Sequence, residues 1–275
     1  MFLSHADFVP TMRPPRVNWD DDEVDPEAST YLAAEHGPEP VPGWVITEDA
    51  ARQYERGILK TGKEAEVHVV ERRLDDRVNL LAAKRYRSLG ERMFRNDARY
   101  RTARRTGSRR VDLAMARGTR AGMAFRAEQW VETEFATLSR LWKGGVAVPY
   151  PVQRLGHEIM VELIGDEEGA APRLVSSRPN PADARQLFSQ LVQNLLAMAR
   201  LGVVHGDLSP YNLLVWEGRL VLIDFPQAVD PLLNPEGLEL LERDIRNCCA
   251  WFTRRGVDVD PGRLLSEVAA EIFSR

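Results

Sequence analysis

The stretch from Val203 to Phe225 constrains the fold more than any other part of the chain. The apolar pair Val203-Val204 leads into a polar loop, His205-Gly206-Asp207-Leu208-Ser209-Pro210-Tyr211-Asn212. Two apolar runs follow, Leu213 to Trp216 and Leu220 to Ile223, separated by the turn Glu217-Gly218-Arg219 and closed by Asp224-Phe225. Runs this short, bounded by turn residues, predict buried strands rather than helices. Asp207, Asn212 and Asp224 are therefore expected to converge at strand ends in a cleft. The plainer reading makes the Asp, Ser and Pro residues turn formers and the Asn a cap.

The spacing supports a chemical reading. Transfer of a phosphoryl group from ATP needs one carboxylate to accept or orient a hydroxyl proton, and an amide with a second carboxylate to hold Mg²⁺ on the phosphates. The protein-kinase template is H-R-D, an Asn after four intervening residues, and D-F-G on the next strand. Here His205-Gly206-Asp207 is followed at that spacing by Asn212, and Asp224-Phe225-Pro226 stands where D-F-G would.

The chain has 275 residues, enough for one or two lobes around a sizeable core. Its net charge of −4 gives no global pull toward nucleic acid. The two cysteines, Cys248 and Cys249, are adjacent and too few for a disulfide framework or a zinc site. That usage fits a reducing, cytoplasmic compartment. No secretory leader and no run of ~18 apolar residues is visible, so no membrane contact is expected.

Residues 1–43 carry seven prolines and the acidic run Asp20-Asp21-Asp22-Glu23. They are expected to form a disordered tail; the alternatives are an interaction arm, or a shield for a basic loop farther on. A helix is predicted from Thr47-Glu48-Asp49 to before Gly57. Ile58-Leu59-Lys60, Ala65 to Glu71 and Leu80 to Tyr86 read as strands, with Ala65, Val67 and Val69 on one face. Gly57 and Gly62-Lys63 nearly spell a Walker A loop, but Glu64 replaces the required Ser or Thr and a strand follows. Thr61-Gly62-Lys63-Glu64 reads better as a strand–turn–strand flap over ATP phosphates. Lys84 is the expected partner of the α and β phosphates. Only Lys60, Lys63, Lys84 and Lys143 are lysines, and three of the four fall in this small sheet.

From Arg87 to Arg126 the chain is dense in arginine. This basic insert reads either as a solvated loop or as a contact for an acidic surface such as RNA. Thr102, Thr106 and Ser108 within it are candidate autophosphorylation sites. A helical pattern returns from about Phe125 to Trp142 and offers Glu134, or alternatively Glu132, to the strand lysine. Val152 to Leu155 and Glu158 to Leu163 read as two further strands. Met160 is expected to border an adenine pocket, with the backbone of Glu162, Leu163 and Ile164 as its hinge. Pro181 to Leu201 is an amphipathic helix burying Leu187, Leu191, Leu195 and Met198. Glu236 to Phe252 and Pro261 to Phe273 close the chain as helices. Neither a long activation segment nor peptide-binding helices have room to follow Asp224, and Pro226 stiffens the loop.

Over roughly residues 47–255 the chain resembles the RIO family of atypical protein kinases. The resemblance rests on Thr61-Gly62-Lys63-Glu64-Ala65, Lys84, and Glu162-Leu163-Ile164-Gly165 with Pro172-Arg173-Leu174. It continues through His205 to Ser209 with Asn212, Ile223-Asp224-Phe225-Pro226-Gln227 and Glu242-Arg243-Asp244. The flap looks like the first RIO subfamily and Asp224 to Gln227 like the second. The Arg-heavy, Lys-poor composition points to a bacterial-type member. The resemblance implies a two-lobed α+β fold: an N-lobe sheet with one helix (44–163, with the insert at 87–125) and a mainly helical C-lobe (164–275). It implies that Lys84, oriented by Glu134, binds ATP phosphates, that Asp207 is the catalytic base, and that Asn212 and Asp224 hold Mg²⁺ or Mn²⁺. It also implies that Asp224 can itself accept the phosphoryl group, forming an aspartyl phosphate that water hydrolyses.

The expected activity is that of a serine/threonine protein kinase, acting on a protein substrate or on itself, or of an ATPase. Two other classes compete. A small-molecule phosphotransferase of the aminoglycoside or choline kinase kind also carries H-G-D and a later Asn, but usually has His where Ser209 stands. An assembly factor switched by ATP would use the basic insert to hold RNA or a ribosomal particle.

Overall fold

The computed structural model describes residues 26–62, 65–86 and 120–275, excluding the side chains of 120–127. It divides into two compact units. One comprises the described residues up to Ser139 together with Tyr150–Leu163, and the other Arg140–Pro149 with Ile164–Arg275.

The first unit is a seven-stranded antiparallel sheet with one helix. Its strands are β1 (Glu27–Ala28), β2 (Glu35–His36), β3 (Arg52–Thr61), β4 (Ala65–Leu74) and β5 (Arg77–Tyr86). Helix α1 (Arg120–Lys143) follows, its last turn belonging to the second unit, and then β6 (Pro151–Leu155) and β7 (Glu158–Glu162). The order β1-β3-β4-β5-β7-β6-β2 places the two shortest strands at opposite edges. Seven flat strands would separate those edges by ~29 Å. The six residues joining β1 to β2 include a 3₁₀ turn at Tyr31–Ala33, and even a fully extended linker of that length reaches only ~24 Å. The sheet must therefore curl toward closure, and its inner face becomes a core.

Two expectations fail here, for related reasons. Residues 27–36 are not a disordered tail but both edge strands, and Tyr31 is buried beside Arg72. A Pro-rich composition concealed one aromatic anchor and four residues of strand pairing. Residues 1–25 lie outside the described residues. Nor does a helix start at Thr47: the chain turns at Thr47 to Ala50 and enters β3. The period-2 demand of pairing with β4 overrides helix-like start signals, burying Gln53 and Arg56 instead of an apolar helical stripe. The predicted strands at Ala65, Leu80, Val152 and Glu158 are present.

In the second unit, β8 (Gly165–Asp166) pairs with β9 (Gly169–Ala170). Helix α2 (Pro181–Arg200) follows, then the hairpin of β10 (Leu213–Trp216) and β11 (Arg219–Leu222), then α3 (Gly237–Thr253) and α4 (Pro261–Phe273). Asn180 caps α2 by accepting the amides of Ala182 and Asp183, with Pro181 at the first turn. Leu187, Leu191, Leu195 and Met198 are buried, as the amphipathic pattern requires. Glu217 and Gly218 both have positive φ, 49° and 73°, the turn that matches strand twist in a two-residue hairpin. Val203-Val204 does not form a strand. It makes a single bridge, Val204 to Val229. Residues 223–236 alone connect β11 to α3. Among the described residues, no helix is long and apolar enough to cross a membrane.

Candidate active site

Lys84 sits on β5 directly opposite Val67 of β4 and Ile159 of β7, so all three share one face of the sheet. Helix α1 covers that face through Val131 and Phe135, which pack with Ala65, Tyr86 and Ile159. The same helical spacing buries Glu134, whose side chain is 3 % exposed, and turns Glu132 to solvent. Lys84 Nζ lies 2.7 Å from Glu134 Oε1. Glu134, rather than Glu132, is therefore the partner. Tyr86, two residues along the same face, places its ring centroid 5.1 Å from Lys84 Nζ, within cation–π range. At the flap, the Gly62 amide donates to Ala65 O at 2.9 Å, and Thr61 pairs with Glu66 at the end of β3. Lys63 and Glu64 lie outside the described residues, as do the basic insert and its Thr102, Thr106 and Ser108.

Met160 is a correction. It neighbours Ile159 on β7, and adjacent strand residues point to opposite faces. Its sulfur lies 3.8 Å from Arg72 Nη2, inside the curled sheet and away from Lys84. Val161 occupies the Lys84 face instead, packed against the Val131–Phe135 cluster. The expected hinge is also partly engaged already. The Glu162 amide donates to Tyr150 O, Leu163 N donates to Leu80 O, and Ile164 O accepts from Ala171.

In the second unit the polar loop is held from several sides. The Asn212 side-chain amide donates to Asp207 O at 2.9 Å and lies 3.5 Å from Asp207 Oδ2. Its backbone closes a turn onto Ser209 O, and its carbonyl accepts from Ile223. His205 is buried and bridges the same two segments: its Nε2 is 3.1 Å from Ile223 O, and its Nδ1 is 3.3 Å from the Asp207 amide. A carbonyl can only accept and an amide only donate, so these partners select the neutral tautomer protonated at Nε2. The His205 ring lies 4.5 Å from that of Phe225. Between Ile223 and Phe225, Asp224 adopts φ 72°, rare for a non-glycine residue and a mark of stored strain. Gly206 has φ 80°, and a Cβ there would lie 2.4 Å from Gln227 O, so no other residue fits.

The resemblance had marked Arg243 and Asp244 without giving them a task. Asp244, on α3, is 1 % exposed and accepts the Gly206 amide on Oδ2 at 2.8 Å and the Leu208 amide on Oδ1 at 2.9 Å. The Arg243 guanidinium donates to Gly206 O. The signal in the sequence was an Asp on the apolar stripe Leu240, Leu241, Ile245, Cys248, where a charge is tolerated only if something needs it. Burial pushes the Asp244 carboxyl up to about 7, although the two amides and Arg243 favour its ionised form. Asp207 is exposed. Partial desolvation, followed by the nearby Asp224, raises its pKa against the pull of Arg243 and Asn212.

The family model described as RIO domain matches residues 67–264. The RIO-type serine/threonine-protein kinase Rio1 of Haloferax volcanii is 39 % identical over 151 residues, covering 54 % of this chain and 50 % of that protein. The serine/threonine-protein kinase RIO1 of Chaetomium thermophilum is 32 % identical over 216 residues, covering 74 % of this chain and 40 % of that one. The Rio1 kinase of Thermoplasma acidophilum is 31 % identical over 135 residues, covering 49 % and 69 %. The chain spans at most half the length of the first curated relatives it matches.

Proposed function

The chain belongs to the RIO family, and from that premise we propose that it is an ATP-dependent phosphotransferase: a serine/threonine protein kinase acting on a protein or on itself, with an ATPase route through Asp224. The observation that carries this reading is the Lys84–Glu134 pair, an ammonium held at 2.7 Å by a buried carboxylate on the helix-covered face of the sheet. A lysine fixed in that way is a point charge set for phosphate oxygens. The curated relatives, all named as serine/threonine kinases, do not favour a small-molecule phosphotransferase.

Each described residue has a role in this proposal. Thr61 and Gly62 form the near side of a flap over the phosphates, continued by Lys63 and Glu64. The backbone of Glu162, Leu163 and Ile164 would meet the adenine as its hinge. Asn212 and Asp224 would hold a divalent cation, Mg²⁺ or Mn²⁺, and the residues fit one. Asn212 spends its NH₂ on Asp207, which turns its Oδ1 away as an oxygen donor, and Asp224 adds a carboxylate; hard cations take such ligands. Among the described residues no cluster of three His, Cys, Asp or Glu could hold a metal alone, so phosphates and water would complete the shell. When bound, the cation neutralises phosphate charge.

Asp207 orients the attacking hydroxyl and takes its proton as the oxygen bonds to the γ-phosphorus and ADP leaves. Its raised pKa makes it a better acceptor than an ordinary carboxylate. In the ATPase route the Asp224 carboxylate attacks the γ-phosphorus instead. ADP leaves, and water then cleaves the acyl phosphate to free phosphate and the original carboxylate. We further propose a cytoplasmic setting, and RNA or a ribosomal particle as a partner for the basic insert at 87–126.

The test is incubation with γ-labelled ATP and Mg²⁺ for wild type, Asp207→Asn and Asp224→Asn. Acid-stable label on Ser or Thr, lost in Asp207→Asn, supports the kinase. Hydroxylamine-labile label lost in Asp224→Asn, with free phosphate accumulating, supports the ATPase route. Neither label nor hydrolysis would overturn both.

A further inference from the structure

A second cationic site lies in the C-terminal unit, where the reaction proposed above has no use for it. It is built around Trp251, near the end of α3, whose indole is 2 % exposed. The Arg255 guanidinium lies flat on that indole, Cζ 3.5 Å from the ring centroid. Its Nη1 faces Trp251 O at 3.4 Å and its Nη2 faces Ser177 O at 3.5 Å. These contacts fix where the group sits. They also bring it to the residue before Arg178, while Arg254 adjoins it in sequence. Arg178 and Arg254 are both exposed.

Three features together mark this cluster. First, other arginines of the same unit are paired with acids: Arg200 with Glu271, Arg246 with Glu242, Arg263 with Glu267 and Arg275 with Asp230. Among the described residues, Arg178, Arg254 and Arg255 have no such carboxylate. Second, Arg255 is close enough to feel both neighbours: burial first, then Arg254 and Arg178, depress its pKa. Such a cluster is a standing demand for an anion. Third, the Trp251 Nε1–H is buried without an acceptor among the described residues, a polar group left unsatisfied beneath the cluster.

The chemistry narrows the ligand. Guanidinium forks match phosphate oxygens, and a guanidinium already laid on an aromatic ring loses little freedom on binding. Three neighbouring cations suit a dianion with three terminal oxygens, a phosphate monoester. A nucleic-acid backbone offers monoanionic diesters along a line, and its binding sites add exposed aromatics on which bases stack. Here the ring beneath Arg255, Trp251, is covered. The acids Asp258 and Asp260 follow within five residues, which disfavours a long polyanion. We propose that Arg178, Arg254 and Arg255 form a docking site for a phosphoserine or phosphothreonine side chain on a protein, separate from the catalytic residues. A chain of this family that makes phosphoserine or phosphothreonine would then also retain it.

The test is calorimetric titration of the full chain with an eleven-residue peptide bearing one central phosphoserine. The same peptide with Ser, inorganic phosphate, and a single-stranded RNA oligomer run in parallel. The comparison is wild type against Arg178→Gln/Arg254→Gln, both exposed positions whose replacement leaves the Arg255–Trp251 stack in place. Arg255→Leu is a second variant, checked for folding by its unfolding transition. Expected are binding of the peptide only when phosphorylated, a loss of tenfold or more in the double variant, and a change in tryptophan fluorescence on saturation that the double variant lacks. Equal binding of Ser and phosphoserine peptides, no effect of the double variant, or variant-sensitive binding of RNA in preference to phosphopeptide would each overturn the proposal.

Discussion

Replacing Asp244 by Asn sets stability against function in a way that depends on pH. The carboxyl lies in the core of the C-terminal unit, with its pKa moved from 3.8 to about 7, burial being the largest cause. Between those two values the folded protein keeps a proton that the unfolded chain has released. Stability therefore falls as pH rises through that window and levels off above about 7. At about 1.4 kcal/mol per pH unit, the full interval amounts to ~4 kcal/mol. Asn is nearly the shape of the protonated acid and does not titrate. The amide that Asn leaves unsatisfied costs the variant ~1–3 kcal/mol at every pH, so near pH 4 to 5 it should be the less stable by about that much, and by pH 8 the more stable, by ~1–3 kcal/mol. Urea unfolding of both at several pH values measures this, and the difference between the curves cancels every group they share. Function should move the other way. The ionised carboxylate accepts both the Gly206 and the Leu208 amides, whereas Asn accepts one and turns its NH₂ toward the other. One buried amide is then unsatisfied, a local cost of ~1–3 kcal/mol that loosens the Asp207 loop. Phosphoryl transfer should drop about tenfold at pH 8, with faster hydrogen exchange at Gly206 and Leu208. Parallel stability curves, or a variant that is less stable at pH 8, would refute the reasoning: the two amides would then hold Asp244 ionised throughout.

Three other perturbations test separate parts of the structure. Lys84→Met leaves Glu134 a buried carboxylate without its ammonium, so it should cost ~3 kcal/mol in denaturant unfolding and abolish ATP-induced stabilisation; Lys84→Arg should restore charge but not nucleotide binding. Gly206→Ala puts a Cβ 2.4 Å from the Gln227 carbonyl at a left-handed φ of 80°, and should lose ~2–4 kcal/mol with no measurable transfer. Tyr86→Phe removes a hydroxyl that is buried with no acceptor among the described residues, so thermal unfolding of the free protein should shift up by 1–3 °C, about 0.5 kcal/mol. Tyr86→Leu also removes the ring beside Lys84 and should raise the KM for ATP, a split that purely structural packing would not produce.

The sequence was most legible where chemistry and chain order coincide. Asp207, Asn212 and Asp224 are separated by short strands and a two-residue turn, so local rules alone bring Asn212 to Asp207 and pin Ile223 to Asn212 and His205. Glu134 was legible because helical spacing lets only one of two nearby acids face the sheet. Long-range pairing was harder to read. Nothing between Thr47 and Gly57 announces that β4 will claim it as a strand. Likewise, nothing in a Pro-rich stretch shows that residues 27–36 will close both edges of a curled sheet. Met160 failed by one residue: period 2 makes neighbours point opposite ways, so a correct strand still gave the wrong pocket residue.

Arg72 and Asp244 share the feature that sequence reading overlooked. Each is a charged residue on a buried face, Arg72 in the run Glu71-Arg72-Arg73 two residues after the buried Val70, and Asp244 amid Leu240, Leu241 and Ile245. Each is essentially unexposed, and each is spent on neutral backbone or amide groups rather than on a counter-ion of its own. Arg72 donates to Gln53 Oε1, Gln153 Oε1 and Ile46 O, tying β3, β6 and the segment before β3 together inside the curled sheet. Its pKa is lowered to about 10 by burial, so it remains charged at neutral pH. Burying a cation among neutral acceptors is costly unless those acceptors cannot be satisfied otherwise. Arg72→Met keeps the bulk and removes the donors. It should cost ~3 kcal/mol and make residues 26–46 the first site of proteolysis, because Arg72 lies against the Tyr31 ring and fixes the Gln53 and Gln153 amides that bond Thr30. Retained protection of that segment in Arg72→Met would mean that strand pairing alone closes the sheet, and that the buried guanidinium is tolerated rather than required.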